Sequence, residues 1–350
     1  MYKVNALLIT ASVALVTGCC KHPDPVAATP LIIEVPAHIA SSIIGEMPIP
    51  ADNPTTVEGV ALGRMLFYEN MLSGDNTMSC ATCHIQGDGF ADKRQFSEGI
   101  TGDLGDRQAM AVINSGWTDL FFWDGRAVSL EDQAFGPVVN PVELNDTWPN
   151  VVAKLQDDCD YPHLFEAAFG TSIIDSVLVS KAIAQFERTL VSFDSKYDKF
   201  FYNQEDVFTQ AEMNGFDLFM GDAECVHCHS GPNLTDDMFR NNGLDIVQTD
   251  IGLGKVTGDE LDNGKFKVTT LRNIAQTAPY MHDGRFATLE EVVEYYNSGV
   301  LADSPNLDPE MVHFSEGLNL TEEQKSDLIA FLHTMSDETF LTNPKFSDPN

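Results

Sequence analysis

Residues 80–84 read Cys-Ala-Thr-Cys-His, and residues 225–229 read Cys-Val-His-Cys-His. Cys-x-x-Cys-His is the attachment signature of a c-type haem. The spacing serves the chemistry. Two thiols add to the two vinyl groups of one porphyrin, and the next residue offers an imidazole to the iron from the same turn. Cys80, Cys83, Cys225 and Cys228 are therefore the expected attachment residues of two covalent haems, with His84 and His229 as proximal iron ligands. His227, inside the second motif, reads as a spectator. One such motif would also fit a redox disulfide or a zinc knuckle. Two of them behind an export leader point to haem, and to the bacterial periplasm.

Outward from these motifs the chain repeats itself. Gly63-x-x-Leu66-Phe67 precedes the first and Gly215-x-x-Leu218-Phe219 the second. Asn114 stands nine residues before Trp123 in FFWDGRAVSLEDQ (121–133), and Asn273 nine before His282 in YMHDGRFATLEE (280–291). The order of these parts is the same in both halves, which reads as one duplicated unit rather than a long-period solenoid. No strand-like alternation of any length occurs. Helical spacing does: Ile174, Val177, Leu178, Phe186, Leu190 and Phe193 share one face of 174–193. Residues 321–335 open on a Thr321-x-x-Gln324 capping box and carry Leu328, Ile329, Leu332 and Met335. The expected fold is mostly α: two tandem cytochrome c-like haem domains related by internal duplication, over 58–205 and 206–340, with a tail at 341–350.

The 350 residues suffice for two ordinary domains. A net charge of −33 argues against nucleic acid and anionic membrane surfaces as partners, and favours cationic or small neutral ones or a saline habitat. The first 18 residues read as a signal peptide, one Lys before an apolar run too short to span a bilayer permanently. Val16-Thr17-Gly18-Cys19 resembles a bacterial lipobox, which implies a lipid on Cys19 as the sole membrane attachment. Residues 19–57, rich in Pro, Ala and Thr from position 20, read as a tether. Cys159 stands apart and reads as an inert thiol.

What distinguishes the halves is the second axial ligand. A peroxidase haem needs an open sixth position with a polar group above it, whereas an electron-transfer haem needs both positions filled. In the second half Thr288 caps a helix, with Glu291 three residues on, and Leu289, Val292, Val293 and Tyr296 form its apolar stripe. Tyr296 thus faces inward, either as a tyrosinate ligand of the second iron or as a core tyrosine with a bonded hydroxyl; Tyr295 points away beside Glu291. Met281 and Met311 are competing ligands. In the first half Ser129 caps a short helix, followed by Gln133 and then Glu143 in a Pro-punctuated loop. Either side chain can stand over an open iron. A carboxylate there can take the proton from the near oxygen of a peroxide and give it to the far one, making water the leaving group. The alternative for Glu143 is an ordinary surface residue.

These residues, taken in order, resemble the bacterial dihaem cytochrome c peroxidases and their relative MauG, the dihaem oxidase of methylamine utilisation. The likeness runs over roughly 58–338 through Cys-x-x-Cys-His, FWDGRA-x-x-L-E-x-Q, NP-x-E, a second Cys-x-x-Cys-His and PY-x-HDG. It implies that the haem on His84 is the peroxidatic one, that Glu143 is the catalytic glutamate and Gln133 a distal-pocket glutamine, and that Trp123 lies between the haems. It implies that His282 lies near the second haem, and that carbonyls of Thr277 and Pro279 bind a calcium ion between the haems. Gln108 stands where the family usually has a calcium-binding Asn, which puts that metal in doubt. Ile100 falls where activation-dependent members carry a capping histidine, and no His occurs between His84 and His163, so the first haem is expected to be open at rest. The second-haem ligand of MauG-like members falls on Tyr296. Homodimers are usual in the family.

Three functions follow as expectations. One is reduction of hydrogen peroxide to water, with electrons from a small periplasmic c cytochrome or cupredoxin. The second is MauG-like long-range oxidation of a partner protein. The third is a dihaem electron carrier without catalysis, which requires ligands on both irons.

Overall fold

The computed structural model describes residues 27–349. The leader and the expected lipid site at Cys19 lie outside them. The described chain is mostly helical. Its only named strands are Phe239–Arg240 and Phe266–Lys267, an antiparallel pair that sets Phe239 opposite Lys267. Among the described residues no helix is long and apolar enough to cross a membrane.

Two helix crossings organise the two larger hydrophobic cores among the described residues. The Val57–Phe67 helix crosses the Ser176–Arg188 helix, and the Gln210–Met220 helix crosses the Glu322–His333 helix. The Gly-x-x-Leu-Phe phrase explains both crossings. A Cβ on Gly63 would strike the carbonyl oxygen of Ala182, and one on Gly215 that of Asp327, so only glycine lets the backbones approach. Three and four residues on, Leu66 and Phe67 are fully buried in the first core, and Leu218 and Phe219 are buried in the second. Full burial of such a side chain contributes about 1.5–3 kcal/mol. Capping boxes start three second-half helices: Thr209 with Glu212, Thr288 with Glu291, and Thr321 with Gln324, the last two as the spacing predicts.

The expected helix over 174–193 is shorter. Asp175 caps it by accepting from Leu178 N, so it runs from Ser176 to Arg188. That start exposes Val177 and buries Val179 and Ile183 instead, while Leu190 and Phe193 are buried beyond the helix end. Cys159 is not a lone thiol. It is disulfide-bonded, and its partner is none of the four motif cysteines, all of which are free. A sequence with no local pairing pattern carries no sign of this bond.

The ends of the described chain are packed. Thr29 donates from N and Oγ1 to Glu58, Ile39 is fully buried, and Trp117 Nε1 donates to Gly45 O. Phe340, Leu341 and Phe346 join the first core although they follow the second-half helices. Arg64 and Tyr68 donate to the carbonyls of Ser347 and Phe346.

The repeated phrase folds the same way twice. Phe121 bridges Ala127, and Tyr280 bridges Phe286. Phe122 and Gly125 have φ of 65° and 71°, Met281 and Gly284 75° and 62°, and Asn114 and Asn273 53° and 57°. Each asparagine ties its loop to the segment that follows its half's long crossing helix: Asn114 Oδ1 accepts from Ser192 N, beyond Arg188, and Asn273 Oδ1 from Asp337 N, beyond His333.

Candidate functional site

Two cavities lie against the two motifs. The first, about 760 Å³, has Cys80, Cys83 and His84 in its wall with Gln133, Glu143, Trp123, Thr277 and Pro279. The second, about 210 Å³, has Cys225, Cys228 and His229 with Tyr296, Met281, Met311 and His282. The structure therefore gathers Gln133 and Glu143 around the first motif and Tyr296, Met311 and His282 around the second, brings Thr277 and Pro279 of the second half to the first cavity, and sets Trp123 in both walls.

Both motifs form a single 3₁₀ turn, Cys80–Thr82 and Cys225–His227. The amide of His84 donates to Cys80 O and that of His229 to Cys225 O, so thiols and imidazole project from one turn. His84 Nδ1 lies 2.8 Å from Phe90 O, and His229 Nδ1 3.1 Å from Leu234 O. A carbonyl only accepts, so Nδ1 carries the proton and Nε2 keeps its lone pair, as a metal-ligating histidine requires. Burial holds both imidazoles below the usual histidine range, which favours the neutral ligand form. Burial also raises the thiols, Cys225 to about 12 and Cys228 to about 11. Neutral buried thiols suit thioether bonds to a porphyrin. The donor set and the first cavity fit a covalent haem.

Glu143 sits on the 140–143 turn, where Glu143 N donates to Asn140 O. Burial raises its carboxyl above the usual range; Asn140 and Arg126 draw it back, and Asp106 adds to the rise. Asn140 Nδ2 donates to Oε1 at 2.6 Å, and among the described residues Oε2 accepts no hydrogen bond. Gln133 ends the Leu130–Gln133 helix, which Ser129 caps by accepting from Asp132 N. Ile100 is not in the cavity wall, though Glu98 and Gly99 are. Its N–H donates to Glu143 O at 3.0 Å, and its Cδ1 lies toward Gly74. Among the described residues His84 is the only histidine in that wall.

Trp123 is fixed from both halves. Its Nε1 donates to Gln108 O at 2.8 Å, and its carbonyl accepts from Lys267 N at 3.0 Å. His282 stacks on Phe266 with ring centroids 3.6 Å apart, and burial lowers its pKa. Among the described residues no cluster of three or more His, Cys, Asp or Glu side chains is arranged to hold a metal ion. Gln108 Nε2 donates to Asp92 O at 3.2 Å.

Tyr296 faces the second cavity as the stripe predicts. Burial pushes its phenol up to about 12, against the Asn242 amide, whose Nδ2 donates to the hydroxyl at 3.2 Å. The same nitrogen lies 3.4 Å from Met281 Sδ. Tyr295 does not point away. The helix Leu289–Glu294 passes into a π turn over Tyr295–Gly299, and this wider register turns Tyr295 inward. It packs on Phe286 and donates to Asn242 O at 2.9 Å.

Sequence reasoning missed Asn140, Asn242, Lys267 and Glu187. Glu187 is buried in the first cavity wall, among the described residues its Oε2 has no hydrogen-bond partner, and burial lifts its carboxyl to about 8. Its signal was available: it occupies the apolar stripe between Ile183 and Leu190.

A model of the di-haem cytochrome c peroxidase family matches residues 57–206. MauG of Methylorubrum extorquens is 38% identical over 295 residues, covering 83% of this chain and 82% of that protein. Cytochrome c peroxidase Ccp of Escherichia coli is 36% identical over 297 residues, covering 83% of this chain; the match spans 60% of that longer protein. Among solved structures, a MauG-like protein associated with microbial copper homeostasis aligns with a TM-score of 0.81 and 38% identity, covering 91% of this chain and 99% of that one. With two haem-attachment motifs folded against two cavities, and relatives of this kind, the chain belongs to the dihaem cytochrome c peroxidase and MauG family of peroxidase-type oxidoreductases.

Proposed function

We propose that the chain is a periplasmic dihaem peroxidase, lipid-anchored through Cys19, that reduces hydrogen peroxide to water in its first cavity. Electrons come from a small c cytochrome or cupredoxin by way of the second haem and Trp123. The observation that carries the reading is Glu143, a half-buried carboxyl in the same wall as Cys80, Cys83 and His84. A haem bound there supplies the iron that receives peroxide and delivers electrons. Glu143 Oε2 takes the proton from the near oxygen of the peroxide and returns it to the far oxygen, so that water departs. Asn140 fixes Oε1 and so aims Oε2. Burial brings the carboxyl closer to the operating pH, where a proton-transfer group works best. Gln133 is a second polar group in the wall to orient the peroxide. Ile100, in place of a capping histidine, donates its N–H to Glu143 O from outside that wall, which supports a sixth position open at rest.

Tyr296 favours a second reading. As a tyrosinate ligand it would lower the potential of the second haem and make it a poor relay, which suits MauG-like oxidation of a partner protein. In both readings the peroxide step is the same. The carbonyls of Thr277 and Pro279, in the first cavity wall with Gln108, are the hard oxygen donors assigned to calcium. The matched φ angles of the repeated phrase support descent of both halves from one duplicated haem domain.

Peroxide consumption with a reduced small c cytochrome tests the peroxidase reading. Glu143→Gln is expected to slow turnover roughly 10²–10⁴-fold with both haems retained. A variant at the parent rate removes Glu143 from the chemistry.

A further inference from the structure

The second half contributes one buried cation to the first cavity that this chemistry leaves unused. Lys267 has a side chain only 6% exposed, and its Nζ lies 2.6 Å from Asp237 Oδ1. The pair is close but misaligned: among the described residues Nζ makes no hydrogen bond. Its backbone N–H donates to Trp123 O, and across the strand pair the Phe239 ring centroid is 5.4 Å from Nζ. Lys267 belongs to the walls of both cavities, whereas Asp237 belongs to the first alone.

An ammonium carries three donors. Burying a charge costs several kcal/mol unless it is paired and hydrogen-bonded. Asp237 balances the charge from one side, and the remaining donors call for acceptor oxygens within the cavity. The anionic groups of a haem are its two propionates.

We propose that Lys267 Nζ binds a propionate carboxylate of the first haem, so that a haem attached by the first half is clamped by the second. This rests on the first cavity being a haem site. The position of Asp237 selects the first haem over the second. A buried positive charge beside the porphyrin favours the reduced state, since net charge and hydrogen bonds set haem potentials. The clamp also hangs from the carbonyl of Trp123, so haem edge and indole belong to one bonded unit.

The test is a potentiometric titration of the full-length dihaem protein followed by electron paramagnetic resonance. The first-haem signal is identified as the one that Glu143→Gln perturbs. Lys267→Met is expected to keep two haems and to shift the first-haem equilibrium at least tenfold toward the oxidised form, about 59 mV for a one-electron couple. The second haem stays put, and Lys267→Arg restores most of the shift. Asp237→Asn, a change at a partly exposed partner, is expected to move the same potential upward and serves if Lys267→Met does not fold. A propionate is tethered, so added acetate changes nothing; a shift that depends on acetate would mean a free anion occupies the site and overturns the proposal. Unmoved potentials in a protein with two haems and normal peroxide turnover overturn the clamp and leave the peroxidase reading standing. So does a shift confined to the second haem. Absence of haem from the parent protein sinks the site itself.

Discussion

Trp123 and His282 stand at the same place in two copies of one phrase, and a single residue joins them. The indole of Trp123 donates to the carbonyl of Gln108 at 2.8 Å, and the amide of Gln108 donates to the carbonyl of His282 at 2.8 Å. The tryptophan is thereby held in the walls of both cavities, while the histidine stacks on Phe266 beside the second. Replacing Trp123 by Phe keeps an aromatic ring but removes the donor. The expected result is a loss of about 1 kcal/mol of stability, from one hydrogen bond to Gln108. Electron exchange between the haems should slow while both remain attached. Flash-reduction kinetics check this, and an unchanged exchange rate would take Trp123 out of the relay.

Tyr296 in the second cavity is the next point of decision. Burial alone pushes its phenol up to about 12, so ionisation near neutral pH requires a cation such as a ferric iron. Tyr296→Met should therefore convert the second haem to a His/Met absorption spectrum. A spectrum identical to the parent would assign the ligand elsewhere, with Met281 and Met311 the candidates already in that wall.

The two helix crossings predict matched sensitivity. Gly63→Ala drives a methyl into Ala182 O, and Gly215→Ala drives one into Asp327 O. Overpacking of this kind costs roughly 1–3 kcal/mol. Each substitution should lower the thermal midpoint, and a variant that melts with the parent would show that the helices separate freely.

Glu187 makes stability depend on pH. Burial lifts its carboxyl from 4.5 to about 8; Arg188 opposes the rise and Glu131 adds to it. The folded chain therefore binds more protons than the unfolded chain between these values. Its contribution is complete below about 4.5 and is lost as the pH rises through about 8. Glu187→Gln should flatten the fall in thermal midpoint across that interval. An equal slope in both proteins would mean the carboxyl is ionised in the fold.

Much of this site was legible because covalent haem chemistry demands fixed residue types at fixed spacing. Cys80 to His84 and Cys225 to His229 announce themselves for that reason. The duplicated phrase was legible too, since the same backbone turns need Asn, Gly and Asp-x-Arg in both halves. Tyr296 followed from a helical stripe, but Tyr295 did not, because a π turn changes the register within the same helix. Lys267 and Asp237 carried no signal at all: they meet at a cavity lined mostly by the other half, and sequence distance hides that meeting. The Cys159 disulfide was hidden in the same way.

The central claim is an open first haem served by Glu143, and one measurement reaches it most directly: stopped-flow absorbance of the fully ferric, never-reduced protein mixed with hydrogen peroxide. The account predicts immediate loss of a high-spin ferric band, and a much slower loss in Glu143→Gln. No reaction until one haem is first reduced would contradict it. A side chain would then cap the first iron at rest, and the protein would need activation like the histidine-capped peroxidases.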